Sequence, residues 1–215
     1  MRVGIPDKTG MRIGAIILAG GRGTRMGQPK DSLPFAGEPL LRRAIRNLQP
    51  ACSPVVVVAR DAQQVLPVLP EGVARTHDLP GHRGPLAALA AGLDWLAADG
   101  GLGAADAAFA AACDQPFVDA AFVRWLAAKL GAHDVAMPFA AGLRQPLCAL
   151  YRIGVRAAAH RLLANGTTTP RSLADAATTV LVDEAELRTF DPELACLVNV
   201  NTPEQLAAAT ARLGR

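Results

Sequence analysis

Apolar and polar positions follow two periods along the chain. Uninterrupted apolar runs occupy Ile13–Leu18, Val55–Val58 and Ala107–Cys113. Runs this short, with no polar face, fit strands buried on both sides. Val73–Thr76, Val135–Phe139, Leu147–Tyr151, Thr178–Val182 and Cys196–Val200 read as further strands. Between these runs the spacing changes to three and four. Leu40, Leu41, Ala44, Ile45 and Leu48 form one face of a helix opening at Pro39. Leu86, Leu89, Leu93 and Leu96 do the same for a helix opening at Gly84-Pro85. Asp119 is placed to cap Ala120–Leu130, with Gly131 as its stop. Val155–Leu163 and Arg171–Ala177 are two more helices. Thr202-Pro-Glu-Gln205 is a capping box with proline at the first helical position, leading into Leu206–Leu213.

Strands alternating with helices imply crossovers between parallel strands. The expected fold is α/β: a three-layer α/β/α arrangement around a mostly parallel, Rossmann-like sheet. No repeat or linker divides the chain, so 11–215 reads as a single domain. The first ten residues carry no apolar run and read as a disordered extension without a signal peptide, consistent with a cytoplasmic protein.

Composition adds little except exclusions. The chain has 215 residues, 51% hydrophobic and 19% charged, enough to build a core without disulfides or metal. A net charge of +3 is too small for a nucleic-acid binder and fits a small anionic ligand better. The alanine-rich stretch from Pro85 to Cys113 is broken by Asp94, Asp99 and Asp106, so it does not span a membrane. Cys52, Cys113, Cys148 and Cys196 are far apart and form no C-x-x-C pair, which argues against a zinc or redox motif.

Candidate chemistry concentrates after the first strand. Gly20, Gly21, Gly23 and Gly27 are interleaved with Arg22, Arg25 and Lys30. In open α/β sheets, ligands bind beyond the carboxyl ends of the strands. Glycines let backbone N–H groups close on an anion, and the cations add compensating charge. A di- or triphosphate suits that combination. No Gly-Lys pair exists for a Walker A loop, and Met26 stands where a dinucleotide fingerprint needs its third glycine.

Leu18-Ala-Gly-Gly, Gly23-Thr-Arg25-Met-Gly27 and Pro29-Lys30 resemble the signature of nucleotidyltransferases of the glycosyltransferase-A-like (nucleotide-diphospho-sugar transferase-like) fold. "GPLAAL" from Gly84, "ACDQPF" from Ala112, "QPLCALY" from Gln145 and "NVNTPEQL" from Asn199 narrow the resemblance to the molybdenum cofactor guanylyltransferases. The resemblance runs in order over nearly the whole chain after Gly10. It implies transfer of GMP from GTP to the phosphate of molybdenum-bound molybdopterin, with Mg²⁺ as cofactor. Molybdoenzyme maturation proteins are then possible partners. It also implies site residues: Arg25, Lys30 and Asp114 for catalysis, with Asp114 on the metal. Leu18, Ala19, Gly20, Gly21, Gly23, Thr24, Gly27, Lys30, Asp78, Gly84, Pro85, Leu86, Asn199 and Asn201 would bind nucleotide or pterin.

Each of these positions also has a plainer reading. Asp114 could cap the turn before Pro116. Gly84 could leave room for a base, or simply start a helix. Asn199 and Asn201, two apart on the expected strand, would share a face. His77 and His82, without a third ligand, read as solvated loop residues, and Arg42, Arg43 and Arg46 as the wet side of a helix. The five-residue step from Arg25 to Lys30 also resembles that of cytidylyltransferases acting on the same pterin, and Ala88 replaces the expected glycine where the nucleobase would approach, so a CTP-using or sugar-phosphate nucleotidyltransferase is the alternative enzyme. A nucleotide- or pterin-binding module is the non-enzyme alternative.

Overall fold

The computed structural model describes residues 10–20, 29–82 and 84–213. The expected disorder of the first ten residues falls almost wholly on 1–9, outside the described residues. The elements run β1 (Ile13–Leu18), β2 (Pro34–Phe35), β3 (Glu38–Pro39), α1 (Leu40–Leu48), β4 (Val55–Ala59), β5 (Val73–His77), α2 (Pro85–Ala98), β6 (Ala107–Ala112) and α3 (Ala120–Leu130). They continue through β7 (Val135–Ala140), β8 (Leu143–Arg144), β9 (Cys148–Arg152), α4 (Arg156–Ala164), α5 (Pro170–Asp175), β10 (Thr179–Val182), α6 (Glu184–Phe190) and α7 (Pro203–Arg212).

The main sheet has the order β10-β7-β9-β6-β1-β4-β5, with β8 paired to β7. β6, β1, β4 and β5 are mutually parallel, as are β7 and β10; β9 runs antiparallel to both its neighbours. The exits of β1, β4, β5 and β6 therefore line one edge. The sheet is mixed but mostly parallel.

Alternation along the strands divides the core. Ala15 and Ile17 of β1 face Leu41, Ile45 and Leu48 of α1 and Phe122 and Leu126 of α3. Ile16 and Leu18 face Leu86, Leu89 and Leu93 of α2, with Ala159 of α4 and Leu173 of α5. Helices thus cover both sheet faces, giving three layers. The alanines of β6 are weak strand formers, yet all but Ala112 are fully buried between layers. Small residues let α2 lie close, and a Cβ built on Gly92 would meet Ile16 Cγ2 at 2.4 Å.

A third cluster governs the site. Leu33 and Phe35 at the β2–β3 hairpin, Leu40, Val200 and Ala209 pack together, with Phe117 and Leu206 against them. This cluster brings the segment before α7 back to the exit of β6.

One expected strand does not form. Ala195–Leu197 is a 3₁₀ turn, and 198–200 do not pair in the sheet. The physical reason is local satisfaction of backbone donors. Cys196 N donates to Asp191 Oδ2 at 2.8 Å, Leu197 N to Leu194 O and Val198 N to Ala195 O. Val200 N alone reaches across, donating to Asp114 O at 2.9 Å. The hairpins β2–β3 and β7–β8 and the helix α6 were not anticipated.

Candidate active site

Asp114 lies two residues beyond β6. The ladder outlasts the strand here, because Cys113 N donates to Leu18 O at 3.2 Å. α1 pins the turn that follows: Arg43 Nε donates to Pro116 O at 2.8 Å, and Asn47 Nδ2 to Pro116 O and Val118 O at 3.2 Å each. The Arg43 guanidinium also lies 4.9 Å from the Phe35 ring centroid, and Phe35 meets Phe117 edge-on. The expectation of three merely solvated arginines therefore needs correction. Arg42 is exposed, and Arg46 pairs with Glu38 at 2.6 Å on the surface. Arg43 is half-buried and braces the Asp114 turn, because its guanidinium offers planar donors to a carbonyl and a face to an aromatic ring.

Lys30 opens a 3₁₀ turn, Lys30–Ser32. Its ammonium donates to Asp114 Oδ2 at 2.7 Å and to Asn201 Oδ1. Three segments separated by 84 and 171 positions meet at one nitrogen. Asp114 Oδ1 is buried and, among the described residues, has no hydrogen-bond partner. An unsatisfied buried oxygen costs about 1–3 kcal/mol, and more when charged. A hard divalent cation would satisfy it, since carboxylate oxygens are its natural ligands. The donor set fits such an ion with one protein ligand, the rest coming from phosphate and water. Among the described residues, no group of three or more His, Cys, Asp or Glu side chains is placed to hold a metal.

The two asparagines part company. Asn201 reaches Lys30, whereas Asn199 Nδ2 turns back to donate to Leu197 O at 3.2 Å. Without a strand at 196–200, their two-residue spacing does not give a shared face. Asn201 is held from below: its N–H donates to Gln205 Oε1 at 2.7 Å, and Thr202 Oγ1 accepts from Gln205 N at 3.3 Å. Thr202 thus caps the helix as expected, while the glutamine side chain braces Asn201 rather than Thr202.

Leu18 and Ala19 have little left to offer a ligand. Their side chains are buried, Ala19 N donates to Val58 O, and Ala19 O accepts from Gln64 Nε2. Gly20 is half-exposed, and a methyl there would meet Arg60 at 3.5 Å. Gly21, Gly23, Thr24, Arg25 and Gly27 lie outside the described residues. Asp78 follows β5 at the same edge. Burial pushes its carboxyl up to about 6, with His77 opposing, Asp61 adding and Arg60 opposing. His77 and His82 are exposed.

Gly84 has a conformational reason of its own to be glycine. Its φ of +93° with ψ 172° is glycine territory, and a Cβ there would lie 2.9 Å from Thr168 O. Thr168 O in turn accepts from Leu86 N at 3.1 Å. Pro85 is exposed, while the Leu86 side chain is fully in the core. The first turn of α2 is locked to the segment before α5.

The four cysteines are free and buried. Burial pushes the Cys52 thiol up to about 12 and raises the other three as well, so none is poised as a nucleophile. Among the described residues, no helix is long and apolar enough to cross a membrane.

The profile of the MobA-like NTP transferase domain matches residues 15–180, which includes Lys30, Asp78 and Asp114. The chain belongs to the MobA-like NTP transferase family. A molybdenum cofactor guanylyltransferase of Rhodobacter capsulatus is 38% identical over 94% of the chain and 97% of its own length. One from Cereibacter sphaeroides is 36% identical over 94% and 98%. Among solved structures, the molybdopterin-guanine dinucleotide biosynthesis protein A of Archaeoglobus fulgidus superposes with a TM-score of 0.74 at 24% identity, covering 94% of the chain and 98% of that one. A 2-C-methyl-D-erythritol 4-phosphate cytidylyltransferase of Thermus thermophilus superposes at 0.68 with 17% identity, covering 95% and 100%. These two structures share the fold. Within the MobA-like family, Asn201 and Gln205 lie beyond the matched stretch, yet tertiary contact makes them part of the site.

Proposed function

We propose that the protein is a molybdenum cofactor guanylyltransferase. It transfers GMP from GTP to the terminal phosphate of molybdenum-bound molybdopterin. An acceptor phosphate oxygen bonds to the α-phosphorus of GTP, the bond from that phosphorus to the bridging oxygen breaks, and pyrophosphate leaves with the electron pair. The name shared by curated relatives over nearly their whole length supports this reading. The observation in this molecule that carries it is the meeting of Lys30, Asp114 and Asn201 at the exits of β1 and β6.

The nucleophile is already an anion, so the residues need not remove a proton. Their work is to hold two polyanions together and to neutralise charge growing on the leaving group. Lys30 is a point charge already placed at the mouth of β1. Arg25 and the N–H groups of Gly20, Gly21, Gly23, Thr24 and Gly27 would complete the cradle for the β- and γ-phosphates. Asp114 would hold Mg²⁺ through Oδ1, and the bound ion supplies further positive charge against phosphate oxygens. Asp78 and the Gly84-Pro85 turn, on the β5 side, would flank the nucleoside. Asn201 orients the Lys30 ammonium, and Asn199 would meet the acceptor.

Pyrophosphate release with GTP, CTP, ATP and UTP, each with Mg²⁺ and molybdopterin acceptor, tests the reading. GTP should support turnover well above the others. Preference for CTP would make the protein a cytidylyltransferase, and binding without release would make it a carrier.

A further inference from the structure

Asp31 stands next to Lys30 and is fully buried. A carboxylate taken out of water is costly unless hydrogen bonds replace its hydration. Ser32 Oγ donates to its Oδ1 at 2.7 Å, and Gln64 Nε2 to its Oδ2 at 2.7 Å. Gln64 is also buried. The same Nε2 donates to Ala19 O at 2.8 Å, and Oε1 accepts from Arg60 N at 2.7 Å. A glutamine amide offers two N–H donors and one carbonyl acceptor here, and all are used. Turning the amide over would set oxygen against a carboxylate, so its orientation is determined.

One carboxamide thereby joins the exit of β1, the exit of β4 and the turn carrying Lys30. Neighbouring side chains of that turn grip different partners: Asp31 holds Gln64, and Lys30 holds Asp114 and Asn201. A lysine ammonium on four rotatable bonds is placed only as well as its own backbone. We propose that Asp31 and Gln64 are positioning residues, fixing the Lys30 backbone against the exits of β1 and β4 so that its ammonium meets the nucleotide phosphates. This rests on the reading of Lys30 as a phosphate ligand given above.

A merely structural pair would lower the melting temperature and leave the kinetics per folded molecule untouched. The test is a double-mutant cycle of Gln64→Leu and Lys30→Ala, with kcat, KM for GTP and melting temperature measured on each protein. Gln64→Leu alone should lower kcat/KM on the order of 10²-fold, the effect expected of a misplacement near 1 Å. In the Lys30→Ala background it should change kcat/KM by no more than about twofold, while still lowering the melting temperature. An unchanged kcat/KM in the single variant, or a full further loss on top of Lys30→Ala, overturns the proposal.

Should Gln64→Leu fail to fold, Gln64→Glu faces Asp31 with a second carboxylate, and adding Asp31→Asn restores a donor between them. Recovery of kcat/KM on the order of tenfold over Gln64→Glu supports the proposal, and no recovery overturns it. If the wild type releases no pyrophosphate, the functional reading has failed by itself. A crystal structure of Gln64→Leu, or of Gln64→Glu in its place, then decides. Lys30 Nζ still within hydrogen-bond distance of Asp114 Oδ2 overturns the proposal, and its displacement supports it.

Discussion

Lys30 and Asp114 face each other at 2.7 Å in a crevice that leaves the two side chains only 20% and 11% exposed. Charges so placed would act on a bound phosphate with little screening. Lys30→Ala and Asp114→Asn should each lower kcat about 10²–10³-fold with GTP and Mg²⁺, the usual cost of removing one preorganised electrostatic group. Near-wild-type turnover in both variants would remove these two residues from the mechanism. Asp78 tests the other side of the site through pH. Its folded pKa of about 6 lies above the ordinary 3.8, so the folded state binds this proton more tightly than the unfolded chain. The stability it contributes is complete below about pH 4 and is lost as pH rises through 6. Asp78→Asn should therefore melt higher than the wild type at pH 8, with the gap closing toward pH 4, even as nucleotide binding weakens. Thermal melts across that range check both the sign and the window.

At the level of elements, two hairpins share an unusual device. Ala36-Gly37 joins β2 to β3 with φ of 52° and 82°, and Ala141-Gly142 joins β7 to β8 with φ of 50° and 72°. Both are two-residue turns with positive φ throughout, the geometry of a type I′ turn. Alanine in the left-handed region costs about 1–2 kcal/mol, a conformation asparagine tolerates better. Ala141→Asn should raise stability by roughly 0.5–1 kcal/mol, or about 1–4 °C in Tm. The contact of α2 with the sheet runs the other way. Gly92→Ala gains about 1 kcal/mol of helix propensity but drives a methyl into Ile16, and overpacking typically costs about 1–3 kcal/mol. Ile16 is fully buried in an interior strand, so the repacking cost should outweigh the gain, with a net destabilisation of up to about 2 kcal/mol in denaturant titration.

For the molecule as a whole, the site is a junction. The turn carrying Lys30, the turn after β6 and the segment before α7 are far apart in sequence. They are joined by the cluster of Leu33, Phe35, Leu40, Val200 and Ala209. Ligands that bind only the folded state raise its stability by mass action, about 2.7 kcal/mol at a hundredfold excess over Kd. GTP with Mg²⁺ should thus raise Tm more than GTP with EDTA. The difference should vanish in Asp114→Asn, because the carboxylate that would carry the ion is gone.

The layers, most element bounds and the strand exits were readable from apolar periodicity, because burial on one or both faces leaves a period in the chain. Lys30 stood out as a cation in the glycine-rich segment after the first strand, and Asp78 and Asp114 through the resemblance of the motifs around them. Tertiary contact alone decided the rest. Cys196–Val200 has strand composition, but its donors find nearer partners in Asp191, Leu194 and Ala195. Both hairpins hid because Ala-Gly lacks the asparagine that marks a tight turn. Arg43 looked solvated until Pro116 O and Phe35 appeared beside it. Asp31 and Gln64 carry no local signal at all: their hydrogen bond spans 33 positions, and only the folded chain brings a buried carboxylate to the one amide that satisfies it.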